Sequence, residues 1–291
     1  MVFRVTNHGL KLGIIELVMY GISLVTVILL ISAILTDNVL IWKLLSSLGE
    51  EYFYVVFSLL VLVFIDADLG IILFYTIMLS GATNIILKNA FKMPRPPESL
   101  WRDSAEGYGF PSGHTQVATS FWSMLILTMR KRCLIVLGTI VTFSIALSRV
   151  ALRVHYVTDV LGGFAVGLMI TLIVYFLTKS WFKKSLIILG LLTSCLSLLS
   201  GVLFSLGVSY KIAGLSIGAL LYIKYREDLK KINKEAFGRK CIVYIVTVAI
   251  IMSIILVAHI VVKVYHAPIY GYALFYAAIM PAFIVGVKKL L

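Results

Sequence analysis

The sequence predicts an all-α protein embedded in a membrane, a bundle of about ten transmembrane helices. Hydrophobic residues make up 61% of the 291 residues and charged residues only 13%. The mean hydropathy of +1.04 lies far above that of soluble domains. Apolar runs of about 20 residues, the length that crosses roughly 30 Å of hydrocarbon, recur between short polar breaks.

Those breaks define the predicted spans in order. The first span follows a short basic stretch and is longer than the apolar part of a signal peptide, so we expect a retained anchor. Asp66 and Asp68 separate the second span from the third, prolines at 94–97 follow the third, and basic residues at 130–132 follow the fourth. Four more spans surround a charged loop at 224–240. The predicted ranges are 13–35, 50–65, 68–88, 114–130, 133–152, 158–178, 185–206, 208–223, 241–263 and 270–287.

The net charge of +13 indicates membrane topology rather than a nucleic-acid partner. The basic residues form no single stripe, and little of the chain lies outside the apolar runs. Most of them fall in the loops of one face if the N-terminus is cytoplasmic, as the positive-inside rule requires. We therefore expect an integral membrane protein with a cytoplasmic N-terminus and its active site on the extracytoplasmic side. The absence of an organelle-targeting or retention motif makes a bacterial plasma membrane the default. Six basic residues crowd into two outer stretches and need another explanation: Lys88, Lys92, Arg95, Arg102, Arg149 and Arg153.

The first polar cluster follows the third span. Lys88, Lys92 and Arg95 stand there beside prolines, which end a helix and stiffen the exit from the membrane. A lysine at a span end can also simply extend to the headgroups.

The second cluster, Pro111 to His114, begins the fourth span. Ser112 stands where it can cap a helix, and Gly113 lets a ligand approach the backbone. Exposed N–H groups and the helix dipole favour an anion at such a site. His114 would lie against that anion and could donate a proton, or it could have a purely structural hydrogen bond.

The third cluster runs from Ser148 to Asp159, between the fifth and sixth spans. His155 and Asp159 are four residues apart, so on a helix they share one face. Asp159 could then accept a hydrogen bond from one imidazole nitrogen and leave the other as a nucleophile. A structural His–Asp pair is the alternative reading.

All three clusters fall on one face of the membrane under the predicted topology. Together they supply cations for phosphate oxygens, one histidine to attack, another to protonate the leaving oxygen, and a carboxylate to orient the attacker. This inventory fits phosphoryl transfer through a phosphohistidine, for which no metal or other cofactor is required.

These residues resemble the type 2 phosphatidic acid phosphatase superfamily, whose signature is K-x6-RP, PSGH and SR-x5-H-x3-D. All three parts occur in order, and the resemblance covers roughly residues 50–180. It implies a six-helix catalytic core, which we place at 1–180, with about four additional transmembrane helices at 181–291. It further implies His155 as nucleophile, His114 as general acid and Asp159 as partner of His155. The implied phosphate-binding residues are Lys88, Arg95, Ser112, Gly113 and Arg149.

Arg153 departs from the pattern, because many members have glycine there. On a helix, Arg153 would lie beside Arg149, and Lys92 beside Lys88. These two side chains could bind a second anionic group of the substrate, or they could contact anionic lipid headgroups.

The leading prediction is a phosphatase for a lipid phosphate or diphosphate, such as a polyprenyl diphosphate, phosphatidylglycerol phosphate or phosphatidate. A phosphotransferase with a polyprenyl diphosphate donor would differ only in its acceptor. A sugar-phosphate phosphatase is a weaker alternative, since the glucose-6-phosphatase pattern lacks an aspartate at the position of Asp159. A transporter of phosphorylated lipids would bind at the cationic site without reacting. The sequence leaves the oligomeric state open.

Overall fold

A computed structural model describes residues 9–264 and 268–290, and regular structure within these ranges is entirely helical. The all-α membrane class predicted from sequence is confirmed. A 3-10 turn at Glu98–Leu100 and a π-helical turn at Ile260–Val264 accompany the α-helices. The α-helices are α1 Gly9–Thr36, α2 Val39–Ser47, α3 Glu51–Phe64, α4 Ala67–Phe91, α5 Gly113–Met129, α6 Arg132–Ala151, α7 Val157–Ser180, α8 Phe182–Phe204, α9 Gly207–Ala219, α10 Leu221–Ile232, α11 Phe237–His259, α12 Gly271–Ala277 and α13 Ile279–Leu290.

Within the described residues, seven helical segments are long and apolar enough to cross a membrane, with α12 and α13 together forming one of them. The pair α2 and α3, bent by 44°, would raise the number to eight. The other predicted spans coincide with shorter helices. The 17 residues of α5 rise about 26 Å and the 13 residues of α9 about 20 Å, less than the hydrocarbon thickness.

The described chain forms two compact units. Unit 1 comprises Met1–Tyr54 and Leu87–Tyr175, and it contains every residue of the three polar clusters. An apolar core joins the end of α1, the inner face of α2 and the chain after α6, with Trp42, Leu45 and Leu152 at its centre. Trp101 and Ala105, from the loop before α5, pack against this core. The packing therefore brings the loop and the end of α6 to the same end of the unit.

Unit 2 comprises Val55–Ile86 and Phe176–Leu291. Helices α9 and α12 pass so close that a Cβ added at Gly214 would lie 2.2 Å from the carbonyl oxygen of Ala273. Buried Asp68 of α4 accepts hydrogen bonds from Tyr222, Arg226 and Lys230 of α10. The segment 55–86 packs with the later half of the chain, so the two units do not divide at residue 180. The predicted division into a catalytic core at 1–180 and an extension at 181–291 stays a prediction.

Candidate active site

The first cluster folds back onto the loop that precedes α5. Helix α4 ends at Phe91, and Lys88 in its last turn donates to the carbonyl oxygens of Tyr108 at 2.5 Å and Gly109 at 3.2 Å. The amide of Gly109 donates in turn to the carbonyl of Met93 at 2.8 Å. The proline-rich exit and the start of α5 are therefore held together.

Arg95 is fixed by four polar contacts. Its Nε and one terminal nitrogen donate to the carbonyl oxygens of Gly107 and Glu106, at 3.0 and 2.8 Å. The other terminal nitrogen donates to the carbonyl oxygen of Val154 at 2.8 Å and lies 3.0 Å from Nε2 of His155. The guanidinium thus reaches the proposed nucleophile, 60 residues away in sequence.

The proton positions on His155 follow from its two partners. Nδ1 lies 3.1 Å from Oδ2 of Asp159, and a carboxylate only accepts, so Nδ1 carries the proton. Nε2 faces Arg95, which only donates, so Nε2 carries the lone pair. His155 precedes α7 rather than lying in it, and the amide of Tyr156 also donates to Asp159 Oδ2, at 3.0 Å. A turn therefore brings together the pair that sequence spacing placed on a helix.

The surroundings keep His155 neutral. Burial lowers the pKa of this imidazole to about 3, and the charges of Arg95, Lys88 and Arg149 act in the same direction, against the hydrogen bond that His155 donates to Asp159. Burial also lowers the pKa of Arg95. A neutral ring whose lone pair is on Nε2 is the form that a nucleophile needs.

The beginning of α5 lies beside Asp159. The amide of Ser112 donates to the carbonyl oxygen of Asp159 at 2.9 Å. Ser112 occupies the N-cap position, but its hydroxyl does not cap the helix as expected and instead accepts from Thr115 at 3.2 Å. Gly163 of α7 packs against this turn, since an added Cβ would lie 2.6 Å from the carbonyl oxygen of Ser112. This close packing fixes the first turn of α5 next to the His155–Asp159 pair.

His114 has a partner that the sequence analysis missed. Its Nε2 lies 3.3 Å from Oε1 of Glu50, in the turn between α2 and α3. Glu50 follows the first predicted outer loop, so the predicted topology places it on the same face of the membrane as the three clusters. That placement is the signal in the sequence that could have identified Glu50 as a partner of His114.

Arg149 has two more partners that sequence reasoning missed. It is buried in the last turn of α6 and donates to Oγ of Ser46 at 2.6 Å. Its guanidinium also lies 3.7 Å from Oδ2 of Asp103, which pairs with Lys43 at 3.3 Å. The Nε of Arg149 is buried without a hydrogen-bond partner. A buried donor of this kind suits an additional anionic ligand.

Arg153 and Lys92 were expected to lie on helices beside Arg149 and Lys88, but neither residue is helical. Helix α6 ends at Ala151 and α4 at Phe91, so each side chain follows its helix rather than continuing it. Both residues are exposed and adopt left-handed backbone conformations, with φ of 59° for Arg153 and 49° for Lys92. The i, i+4 neighbour relation to Arg149 and Lys88 therefore does not apply, and a role with a second anionic group stays a prediction.

A cavity of about 590 Å³ lies among α5, α6 and α7. Thr115, next to His114, and Val160, next to Asp159, both line it, so it adjoins the polar site. Its other walls are mostly apolar and include Trp122, Phe143 and Phe164. A cavity of this character suits a hydrocarbon chain beside a reacting polar group.

Comparisons with known proteins identify a family that the chain resembles. The profile of the PAP2 superfamily matches residues 69–183. Phosphatidylglycerophosphatase B of Bacillus subtilis (strain 168) is 32% identical over 111 residues, which are 35% of this chain and 52% of that protein. Dolichyldiphosphatase of Saccharomyces cerevisiae is 30% identical over 171 residues, which are 54% of this chain and 68% of that protein. This chain thus spans about half the length of the Bacillus relative.

A solved structure gives a weaker match. The crystal structure of a transmembrane PAP2 type phosphatidylglycerolphosphate phosphatase from Bacillus subtilis superimposes with a TM-score of 0.45 and 20% identity. The superposition covers 59% of this chain and 96% of that one.

Proposed function

The chain belongs to the PAP2 superfamily, and from this premise we propose that it is a membrane phosphatase that hydrolyses a lipid phosphate or diphosphate through a phosphohistidine. The observation that carries the proposal is the contact series from Asp159 through His155 to Arg95. It combines an oriented, neutral nucleophile with a cation that can bind the phosphoryl group. Sites that only bind phosphate do not need a carboxylate behind a histidine.

In the first step, Nε2 of His155 attacks phosphorus and forms a P–N bond. The bond from phosphorus to the leaving oxygen breaks, and that oxygen takes its electron pair and a proton from His114. The proton on Nδ1 of His155 stays hydrogen-bonded to Asp159, whose negative charge stabilises the positive ring that forms.

In the second step, water attacks phosphorus, and His114, now neutral, takes a proton from it. The P–N bond breaks and its electron pair returns to Nε2, which restores His155 and releases phosphate. Both histidines end in their starting protonation states. The balance requires no co-reactant except water.

The phosphoryl oxygens carry negative charge throughout, and Lys88, Arg95 and Arg149 can neutralise it. The backbone N–H of Gly113, at the beginning of α5, would add the positive end of the helix dipole, whereas the N–H of Ser112 already donates to the carbonyl oxygen of Asp159. We place one hydrocarbon tail of the substrate in the cavity among α5, α6 and α7, because that cavity reaches Thr115 and Val160.

The test is phosphate release by the purified protein in detergent, with a chelator present. The substrates are a polyprenyl diphosphate, phosphatidylglycerol phosphate, phosphatidate, a sphingoid phosphate and glucose 6-phosphate. We expect release from one lipid class, loss of release in His155→Gln, and a fall of about 10²–10⁴-fold in His114→Gln. The matched control is His259→Gln, because His259 lies at the end of α11 in unit 2 and should be dispensable.

Other outcomes separate the alternatives. Activity that survives His155→Gln would overturn the proposed nucleophile. Release only from glucose 6-phosphate would indicate a sugar-phosphate phosphatase. Transfer of the phosphate to an added lipid alcohol, instead of to water, would indicate a phosphotransferase. Binding of these lipids with neither release nor transfer would favour a transporter.

A further inference from the structure

We propose that Glu50 is a positioning residue for the general acid, and that it orients His114 so that Nδ1 delivers the proton to the leaving oxygen. The inference rests on the proposed phosphatase function and adds a second histidine–carboxylate pair to the site. No motif in the sequence contains Glu50, which lies 64 residues before His114.

The contact is anchored on the backbone and does not depend on a flexible side chain alone. Glu50 Oε1 lies 3.3 Å from His114 Nε2. The turn that carries Glu50 is held by N–H groups of Gly49 and Glu50, which donate to the carbonyls of Ser46 and Ser47. An added Cβ at Gly49 would lie 2.9 Å from both Cβ and Cδ2 of His114, so the turn packs directly against the ring.

This geometry assigns the two nitrogens of His114 to different partners. A carboxylate only accepts, so Nε2 carries a proton and donates to Glu50. The remaining nitrogen, Nδ1, is then the one that can exchange a proton with the substrate. In the first step it gives the proton to the leaving oxygen, and in the second it takes one from water.

The charges around His114 explain why a carboxylate is needed. The charged groups that act on this ring are Glu50, Arg149 and Asp103. The partial burial of the ring, and after it the Arg149 guanidinium, disfavour the protonated imidazole that a general acid requires. The hydrogen bond to His114 lowers the pKa of the Glu50 carboxyl, so Glu50 is ionised at neutral pH and offsets part of those effects.

The effect should be moderate, because the Glu50 side chain is 56% exposed and solvent screens its charge. We expect Glu50→Gln to lower kcat on the lipid substrate by roughly 10- to 100-fold, less than the loss expected for removal of the acid itself. The control is Glu51→Gln, because Glu51 is the adjacent carboxylate and lies exposed at the first position of α3.

Two measurements distinguish a positioning role from a structural one. On p-nitrophenyl phosphate, whose leaving group departs without a proton, Glu50→Gln and His114→Gln should each lose a smaller factor in kcat than on the lipid, because only the second step then needs His114, as the base that takes a proton from water. On the lipid, Glu50→Gln should move the alkaline fall of kcat/KM to lower pH, and Glu50→Asp should restore part of the rate. The double variant Glu50→Gln, His114→Gln should be no slower than His114→Gln, because the two residues act as one unit.

The outcomes separate this inference from the proposed function. If His155→Gln abolishes phosphate release but Glu50→Gln behaves like Glu51→Gln, the phosphatase stands and the role of Glu50 is wrong. An unchanged pH profile, or a loss that adds in full to that of His114→Gln, would also overturn it. If the wild-type protein releases phosphate from none of the lipids, the proposed function fails, and the inference fails with it.

Discussion

At the residue scale, Asp159 decides which nitrogen of His155 carries the proton. Its Oδ2 accepts from both His155 Nδ1 and the amide of Tyr156, while Oδ1 is buried without a partner. A buried carboxylate with an unsatisfied oxygen is costly for stability. Such a cost is understandable where the group serves catalysis, since its charge can stabilise the positive imidazole of the intermediate.

Asp159→Asn tests this role, because the asparagine side chain has nearly the same shape as the aspartate side chain. The amide can donate to Nδ1, which would move the proton to Nε2 and remove the lone pair that attacks phosphorus. We expect kcat to fall by roughly 10²–10⁴-fold with little change in KM, measured by phosphate release from the preferred lipid. Thermal unfolding in detergent is the control, and an activity close to wild type would contradict the assignment.

At the element scale, α5, α6 and α7 bring the proposed catalytic groups and the apolar cavity together. The first turn of α5 and the turn before α7 meet through Ser112 and Asp159, and the cavity begins one residue beyond His114. Gly167 lets α7 approach α5, because an added Cβ there would lie 2.6 Å from the carbonyl oxygen of Gln116. A lipid could thus bind its phosphate and its tail between the same three helices.

Ala146→Leu tests the cavity. Ala146 lines it from α6, and a larger side chain there would take the place of about three methylene groups of the tail, each contributing about 0.8 kcal/mol when buried. We expect kcat/KM for the long-chain lipid to fall at least about tenfold, with p-nitrophenyl phosphate hydrolysis unchanged. Ala165→Leu on the exposed surface of α7 is the matched control. Equal losses on both substrates would argue against a tail site.

At the scale of the whole molecule, each of the two compact units is built from two separate stretches of the chain. Helix α4 begins in unit 2 at the Asp68 cluster and ends in unit 1 at Lys88, so one helix carries residues of both.

The integral membrane class follows from the seven long apolar segments, whereas the orientation of the chain rests on charge bias alone. Residues 1–8, part of that charge pattern, lie outside the described residues.

The orientation can be tested with two single cysteines on either side of α5. In a variant whose Cys133, Cys195 and Cys241 are replaced by alanine, Ser99→Cys in the loop before α5 should react with a membrane-impermeant thiol reagent added to intact cells. Arg132→Cys, after α5, should react only once the cells are permeabilised. Both positions are exposed, so accessibility within the protein is matched. The reverse pattern would place the site on the cytoplasmic face, and retained activity would verify that each variant is folded.

Much of the site could be predicted because its three motifs are short. Lys88 and Arg95, or His155 and Asp159, are separated by only a few residues, and their local backbone fixes their relation. Helix ends were harder to predict, because a residue that takes the left-handed conformation after the last turn no longer places its side chain on the helix surface. That is the reason why the expected neighbour relation of Arg153 to Arg149 was wrong.

The sequence by itself determined the all-α membrane class, the approximate spans and the three groups of polar residues, because hydropathy and motif spacing are properties of consecutive residues. Only the tertiary structure decided which side chains meet: Arg95 with His155, Glu50 with His114, and Ser46 with Arg149, the last across 103 residues. It also decided that 55–86 packs with the second half of the chain. Such contacts depend on the path of the backbone between the residues, and no local pattern encodes that path.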